Sequence, residues 1–147
     1  AYLLTGGFGF FEDQLVVVGA SGDIALRQAL RDALATQNKV EERDWIFEKL
    51  PHSHPLYHCY FDFDGPPLGW DAVPGYGRPF PWLDGITIEG RLVAIMSNKG
   101  YMGIWNWVGR GQWYVDPTRV FQMGVNMAVF VLTQEGSITH RLMENVR

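Results

Sequence analysis

The chain has a single cysteine, Cys59, in 147 residues. That excludes an internal disulfide and any metal cluster built on cysteines. It leaves the compartment open, because a bacterial envelope protein can lack disulfides too. No apolar run approaches the ~18 residues that suggest a membrane span. The 12 Lys and Arg form no basic block and are outnumbered by 16 Asp and Glu, for a formal charge of −4. An electrostatic footprint for nucleic acid is therefore missing. Internal repeats, low-complexity stretches and a signal-peptide pattern are also lacking. The chain opens Ala1-Tyr2-Leu3-Leu4 without an initiator Met, which reads as a processed or trimmed start.

What is present fits one soluble globular domain over residues 1–147, with 47% apolar and 19% charged residues and length enough to bury a core. Aromatic residues make up 14%, and there are six Trp. Five of them, Trp70, Trp82, Trp105, Trp107 and Trp113, fall between residues 70 and 113.

Gly6 to Asp13 reads as a turn into a short buried strand with acidic residues at its end. Leu15-Val16-Val17-Val18 is a second candidate strand, bounded by Gly19. From Ile24 to about Ala35 the period becomes helical, with Leu26, Leu30, Ala33 and Leu34 on one face and Ser21 suited to the N-cap. A strand, a Gly-rich turn and a helix make up the unit of an α/β fold. Glu41 to Leu50 is expected to be a weaker helix ended by Pro51, and Leu56 to Phe63 to be extended. Gly65 to Gly85 is a long loop rich in Gly, Pro and aromatics, a length that usually marks a functional loop or a lid. Ile86-Thr87-Ile88 and Arg91 to Met96 flank Glu89-Gly90, a two-residue hairpin signal. Asp116 and Pro117 suit the start of a last long helix, Thr118 to Leu132. That segment is apolar nearly all round and so is expected to be buried or packed on a sheet.

Four stretches in order resemble the bacterial family catalogued as domain of unknown function 4159. They are Tyr2-Leu3-Leu4-Thr5-Gly6-Gly7-Phe8 with Glu12-Asp13; Leu50-Pro51-His52-Ser53-His54-Pro55-Leu56-Tyr57-His58; Gly90 to Asn98; and Gly124-Val125-Asn126 with Leu132-Thr133. The resemblance implies a three-layer flavodoxin-like fold related to class I glutamine amidotransferases, with a mostly parallel sheet flanked by helices. It also implies a first strand and helix ahead of the Gly-Gly-Phe segment, so this chain is expected to begin after them. Lys99-Gly100 departs from the family, which often has an acidic residue there. By analogy alone, the resemblance suggests a periplasmic or envelope-associated setting.

His52, His54 and His58 form the sharpest cluster. Neutral imidazoles spaced two apart on a strand can share a zinc-like ion, with Asp13, Asp62 or Asp64 completing the set. Pro51 and Pro55 break the regular geometry such a site needs, and no complete ligand motif is present, so packing around a loop is the preferred reading. Cys59 sits between bulky neighbours and reads as a buried structural thiol rather than a nucleophile. Gly19-Ala20-Ser21-Gly22-Asp23 partly matches a nucleophile elbow or an anion-binding turn. Asp23 would oppose a phosphate, which leaves Ser21 as a helix cap.

Asn126 inside an apolar helix must bond to a neighbouring loop or reach a ligand, and the loop is preferred. Arg91, Ser97 and Asn98 lie on or just past a predicted strand, where α/β folds often place ligand contacts. Trp105, Trp107 and Trp113 could cover a partner or fill the core. The reading that follows is a non-enzymatic α/β domain, without a cofactor, that binds a ligand or protein partner. Its candidate contacts are Asp13, Trp70, Trp82, Arg91, Ser97, Asn98, Trp105, Trp107, Trp113 and Asn126. The alternative is a metal-assisted hydrolase using His52, His54 and His58.

Overall fold

A computed structural model describes residues 1–13, 21–75, 79–106 and 116–144. It contains four strands, β1 (Gly9–Glu12), β2 (Trp45–Lys49), β3 (Asp84–Ile88) and β4 (Arg91–Ser97), and four helices, α1 (Ser21–Ala35), α2 (Tyr101–Asn106), α3 (Pro117–Thr133) and α4 (Ile138–Glu144). The Leu15–Val18 run and, of the Gly19–Asp23 segment, Gly19 and Ala20 lie outside the described residues; Ser21, Gly22 and Asp23 open α1.

The strands form one sheet in the order β1-β4-β3-β2. Only β1 and β4 run parallel, while β4–β3 and β3–β2 are antiparallel. The mostly parallel, three-layer flavodoxin-like sheet expected from the resemblance is therefore corrected to a small mixed sheet. The reason is local. Glu89 and Gly90 both take positive φ, 51° and 78°, the two-residue turn that joins antiparallel neighbours. A parallel pair would need a crossover of a dozen residues or more.

The expected helix over Glu41–Leu50 is also replaced, by β2. Asn38 and Glu42 adopt positive φ, and the Asp44 carboxylate accepts from the Val40 N–H at 2.8 Å, so the chain turns instead of coiling. Beyond the turn, Trp45 and Phe47 belong to one hydrophobic cluster and Leu50 to the other, an alternation with the strand period. Leu56–Phe63 is not extended. His54 caps a single 3-10 turn, Pro55–Tyr57, by accepting from the Leu56 N–H, and turns and bends follow.

Each side of the sheet carries its own core. Leu30 and Leu34 of α1 join Trp45, Ile86, Ile88, Val93, Ala94 and Met96. On the other side, Leu92 and Ile95 share a cluster with Leu50, Leu56, Tyr57 and Phe63 and with Val120, Met123 and Met127 of α3. Burying one such aliphatic side chain stabilises by about 1.5–3 kcal/mol. Helix α3 begins as its sequence predicts, with the Asp116 carboxylate accepting from the Thr118 N–H and Pro117 in the first turn. It is not covered all round, however. Phe121, Val125 and Leu132 are exposed, because the sheet and the 50–63 segment meet only one of its faces.

Candidate functional site

The carboxyl ends of β1 and β4 gather three of the residues expected to contact a ligand. The Asp13 N–H donates to the Ser97 carbonyl at 3.2 Å, and the Asp13 carboxylate lies against Gly22 at the start of α1. Ser97 is buried and donates to Glu12 Oε1 at 2.7 Å. Glu12 also accepts from the N–H groups of Tyr101 and Met102, at 2.8 and 2.5 Å, and so closes the first turn of α2. Burial pushes the Glu12 carboxyl above its ordinary range, while these donors pull it back.

Beside it, Lys99 and Asp71 form an ion pair at 2.7 Å with both side chains essentially inaccessible. Lys99 Nζ donates also to the Phe80 carbonyl at 2.7 Å, and Asp71 accepts from the N–H groups of Gly69 and Phe80. Burial still holds the Lys99 ammonium below its usual range, against the pull of Asp71. Every one of these bonds points into the domain, so the cluster clamps the 65–82 loop to the end of the sheet. Asn98 is the exception: its buried Oδ1 has no hydrogen-bond partner among the described residues.

The three histidines do not converge. His52 Nε2 lies 2.7 Å from the Pro81 carbonyl. His58 contacts Asp62 at 2.5 Å and the His52 carbonyl at 2.8 Å. His54 Nδ1 accepts from the Leu56 N–H at 3.1 Å. Among the described residues, no three His, Cys, Asp or Glu side chains are grouped to hold a metal ion. Cys59 is half-buried rather than fully buried. Its thiol donates to the Asn126 carbonyl at 3.2 Å, and burial pushes the thiol up. Asn126 is fully buried, and its amide bonds to the backbone of Leu56 and Phe61.

Trp105 donates to the Val120 carbonyl at 3.2 Å and packs against Phe10 and Tyr101. Trp70 packs on the same core. Trp82 lies under Lys49, whose Nζ is 3.7 Å from the ring centre. Trp107 and Trp113 lie outside the described residues. Arg91 donates to the carbonyls of Gly7 and Leu3, fastening the first residues of the chain to the start of β4.

An open cleft lies elsewhere, between the β3–β4 hairpin and the end of α3. Its volume is about 760 Å³, and Glu48, His54, Thr87, Arg91, Phe130 and Gln134 are among its walls. Thr87 Oγ1 donates to Glu48 Oε1 at 2.6 Å, diagonally across the β2–β3 pair. With Nδ1 acting as an acceptor, the neutral His54 ring carries its proton on Nε2. Burial holds that ring below the ordinary histidine range, and Glu48 pulls the other way. Gln134 Nε2 is enclosed and meets no acceptor among the described residues. Buried polar groups are almost always paired, so a group left over beside a cleft marks a place for a ligand.

Glu48, Thr87 and Gln134 escape the sequence reading because they come from three separate segments. The one available signal is that Glu48 follows the apolar run Trp45-Ile46-Phe47 and Thr87 stands between Ile86 and Ile88.

No curated protein matches the chain. Residues 1–132 match the family described as Domain of unknown function (DUF4159), with the buried Asn126 and the clamped ends of β1 and β4 inside the matched region. The chain belongs to that family.

Proposed function

We propose that this domain is a binding module, not a catalyst, and that it takes a ligand or part of a protein partner in the cleft beside Glu48, His54 and Gln134. The observation that carries this is the contrast between two polar regions. At the ends of β1 and β4 the charged groups are bonded to the domain itself. In the cleft, Glu48, His54 and Gln134 line a cavity of about 760 Å³, and the enclosed Gln134 Nε2 meets no acceptor among the described residues. Binding pockets of such size, largely apolar with a few polar groups, commonly orient one ligand.

Chemistry has less support. The raised thiol of Cys59 is a poor nucleophile, and each histidine is engaged separately. No helix among the described residues is long and apolar enough to cross a membrane. The proposed setting, a bacterial envelope-associated assembly, is supported by family resemblance alone. Fractionation of cells expressing the protein tests it, and recovery in the cytosolic fraction would remove it.

The cleft itself is tested by amide chemical-shift mapping against a mixture of cationic, neutral and anionic fragments. Responses should converge on Glu48, Thr87 and Gln134. Responses confined to other surfaces, or none up to about 1 mM, an affinity scale of roughly 4 kcal/mol, would sink the reading.

A further inference from the structure

Strand β2 is the last strand of the sheet, paired only with β3 among the described residues. Which of its main-chain groups face outward can be read from two bonds. The Leu50 N–H donates to the Leu83 carbonyl at 2.9 Å, which continues the register Glu48↔Gly85 and Ile46↔Thr87. In an antiparallel ladder, alternate residues bond to the neighbouring strand and those between turn their N–H and C=O the other way. Trp45, Phe47 and Lys49 therefore face outward. The Trp45 carbonyl accordingly receives the Glu42 N–H from that side, at 2.8 Å, which closes one end of the edge. Among the described residues, no other backbone group bonds to the outward edges of Phe47 and Lys49.

Exposed edges are usually guarded, often by a lysine. Here Lys49 folds back over Trp82. The cleft below the edge carries a small acidic excess, Glu48, Glu89 and Glu135 against Lys39 and Arg91. Of the cations at the cleft, Lys39 is paired with Glu89 at 2.7 Å and Arg91 is bonded to backbone carbonyls. Glu48 and Glu135 have no cationic partner among the described residues. On the opposite face, the half-buried Phe47 ring lies beneath the guanidinium groups of Arg27 and Arg31, 5.3 and 5.0 Å from its centre. That cationic surrounding leaves the exposed ring edge to an apolar side chain and repels a basic one.

We infer that β2 receives an extended segment of a partner protein as a fifth strand, with a Lys or Arg of that segment placed in the cleft against Glu48. An added strand turns alternate side chains to opposite faces. The matching segment therefore alternates basic residues, toward the cleft, with apolar ones, toward Phe47. Self-pairing of two β2 edges fits less well, because it brings two acidic clefts together. The inference rests on the cleft reading above but requires more, namely main-chain pairing.

The test uses the peptide Ac-Lys-Val-Lys-Val-Lys-amide, its Glu-Val counterpart, and amide hydrogen exchange read by NMR. With the Lys peptide at saturation, the amides of Phe47 and Lys49 should gain at least about tenfold protection, since exchange reports hydrogen-bond opening. The Glu peptide should bind at least about fivefold more weakly, and Glu48→Gln should remove that preference. Lys49→Pro deletes an outward N–H at an edge position where proline is tolerated. It should abolish peptide-dependent protection while Ile86 and Val93 stay protected, showing that the domain is folded.

Three outcomes would overturn strand addition: unchanged exchange at Phe47 and Lys49, equal binding by Lys49→Pro, or protection that appears with protein concentration and no peptide. Shifts at Thr87 and Gln134 without protection at the edge would keep the cleft reading and remove this one. Edge protection without any response at Thr87 or Gln134 would remove the cleft.

Discussion

Asn126 and Phe61 are joined twice. The Phe61 N–H donates to Asn126 Oδ1 at 2.7 Å, and Asn126 Nδ2 donates back to the Phe61 carbonyl at 2.8 Å. A third bond, from Nδ2 to the Leu56 carbonyl at 3.0 Å, makes one side chain of α3 the fastener for the whole turn after the 3-10 segment.

Removing that amide should cost far more than its volume. Asn126→Ala and Asn126→Leu each strand backbone groups of Leu56 and Phe61, at roughly 1–3 kcal/mol for a buried group. Both variants should lose about 2–4 kcal/mol in urea unfolding. If Asn126→Leu, which fills the space, were as stable as the parent, the amide would have no structural role.

The Lys99–Asp71 pair makes a second prediction. Breaking a buried pair from one side leaves an uncompensated charge, so Lys99→Met should destabilise by about 3–5 kcal/mol. Asp71→Asn keeps an acceptor for Gly69 or Phe80 but weakens the bond to the ammonium. The double variant should lose less than the sum of the single losses, and strict additivity would show that the two groups are uncoupled. Gly69→Ala should be poorly tolerated for a related reason: a Cβ there would lie 2.1 Å from the Lys99 carbonyl oxygen.

Two of the loop histidines, His54 and His58, should titrate on opposite sides of their ordinary value. At His58, the bonds to the Asp62 carboxylate and the His52 carbonyl raise the pKa. Its contribution to stability is present below about pH 6.5 and lost as pH rises through the folded pKa. His54 is shifted down by burial. The unfolded chain takes up that proton first, so its contribution falls as pH drops below about 6.5 and levels off below the folded pKa. Imidazole NMR titration should therefore protonate His58 before His54 on acidification. The reverse order would contradict the geometry of this loop.

Local signals carried much of the fold and little of the site. The hairpin at Glu89-Gly90, the Asp116-Pro117 helix start and the amphipathic α1 each lie within a few consecutive residues, and each is found where its pattern points. The parallel sheet came from resemblance, and it conflicted with that same hairpin. The Glu41–Leu50 stretch misled because Ile46, Phe47 and Leu50 also fit a helical spacing, while the turn fixed by Asp44 and the positive φ of Glu42 decides for a strand. Arg91 was legible as a polar residue at a strand start, but not as a tie to Leu3 and Gly7. Trp105 could not be resolved from sequence, since a ring that packs on Phe10 looks the same there as one on a surface. The cleft was hidden for a simpler reason: its walls meet only after the chain has folded.

The parallel pairing of β1 with β4 joins residues that are far apart in the chain, such as Glu12 and Ser97, separated by 85 positions. The β3–β4 hairpin closes over two residues. Loop closure grows more costly with length, and long-range pairing is slow. The order of assembly is thus written into the topology: the hairpin can form alone, and β1 must wait for a finished β4 to dock against. In a pulse-labelling experiment, amides of Ile86 and Val93 should gain protection before those of Phe10 and Phe11. Until that last strand arrives, the Ser97 hydroxyl and the first turn of α2 have no Glu12 to bind, so the helix cap is among the final pieces of the domain to set.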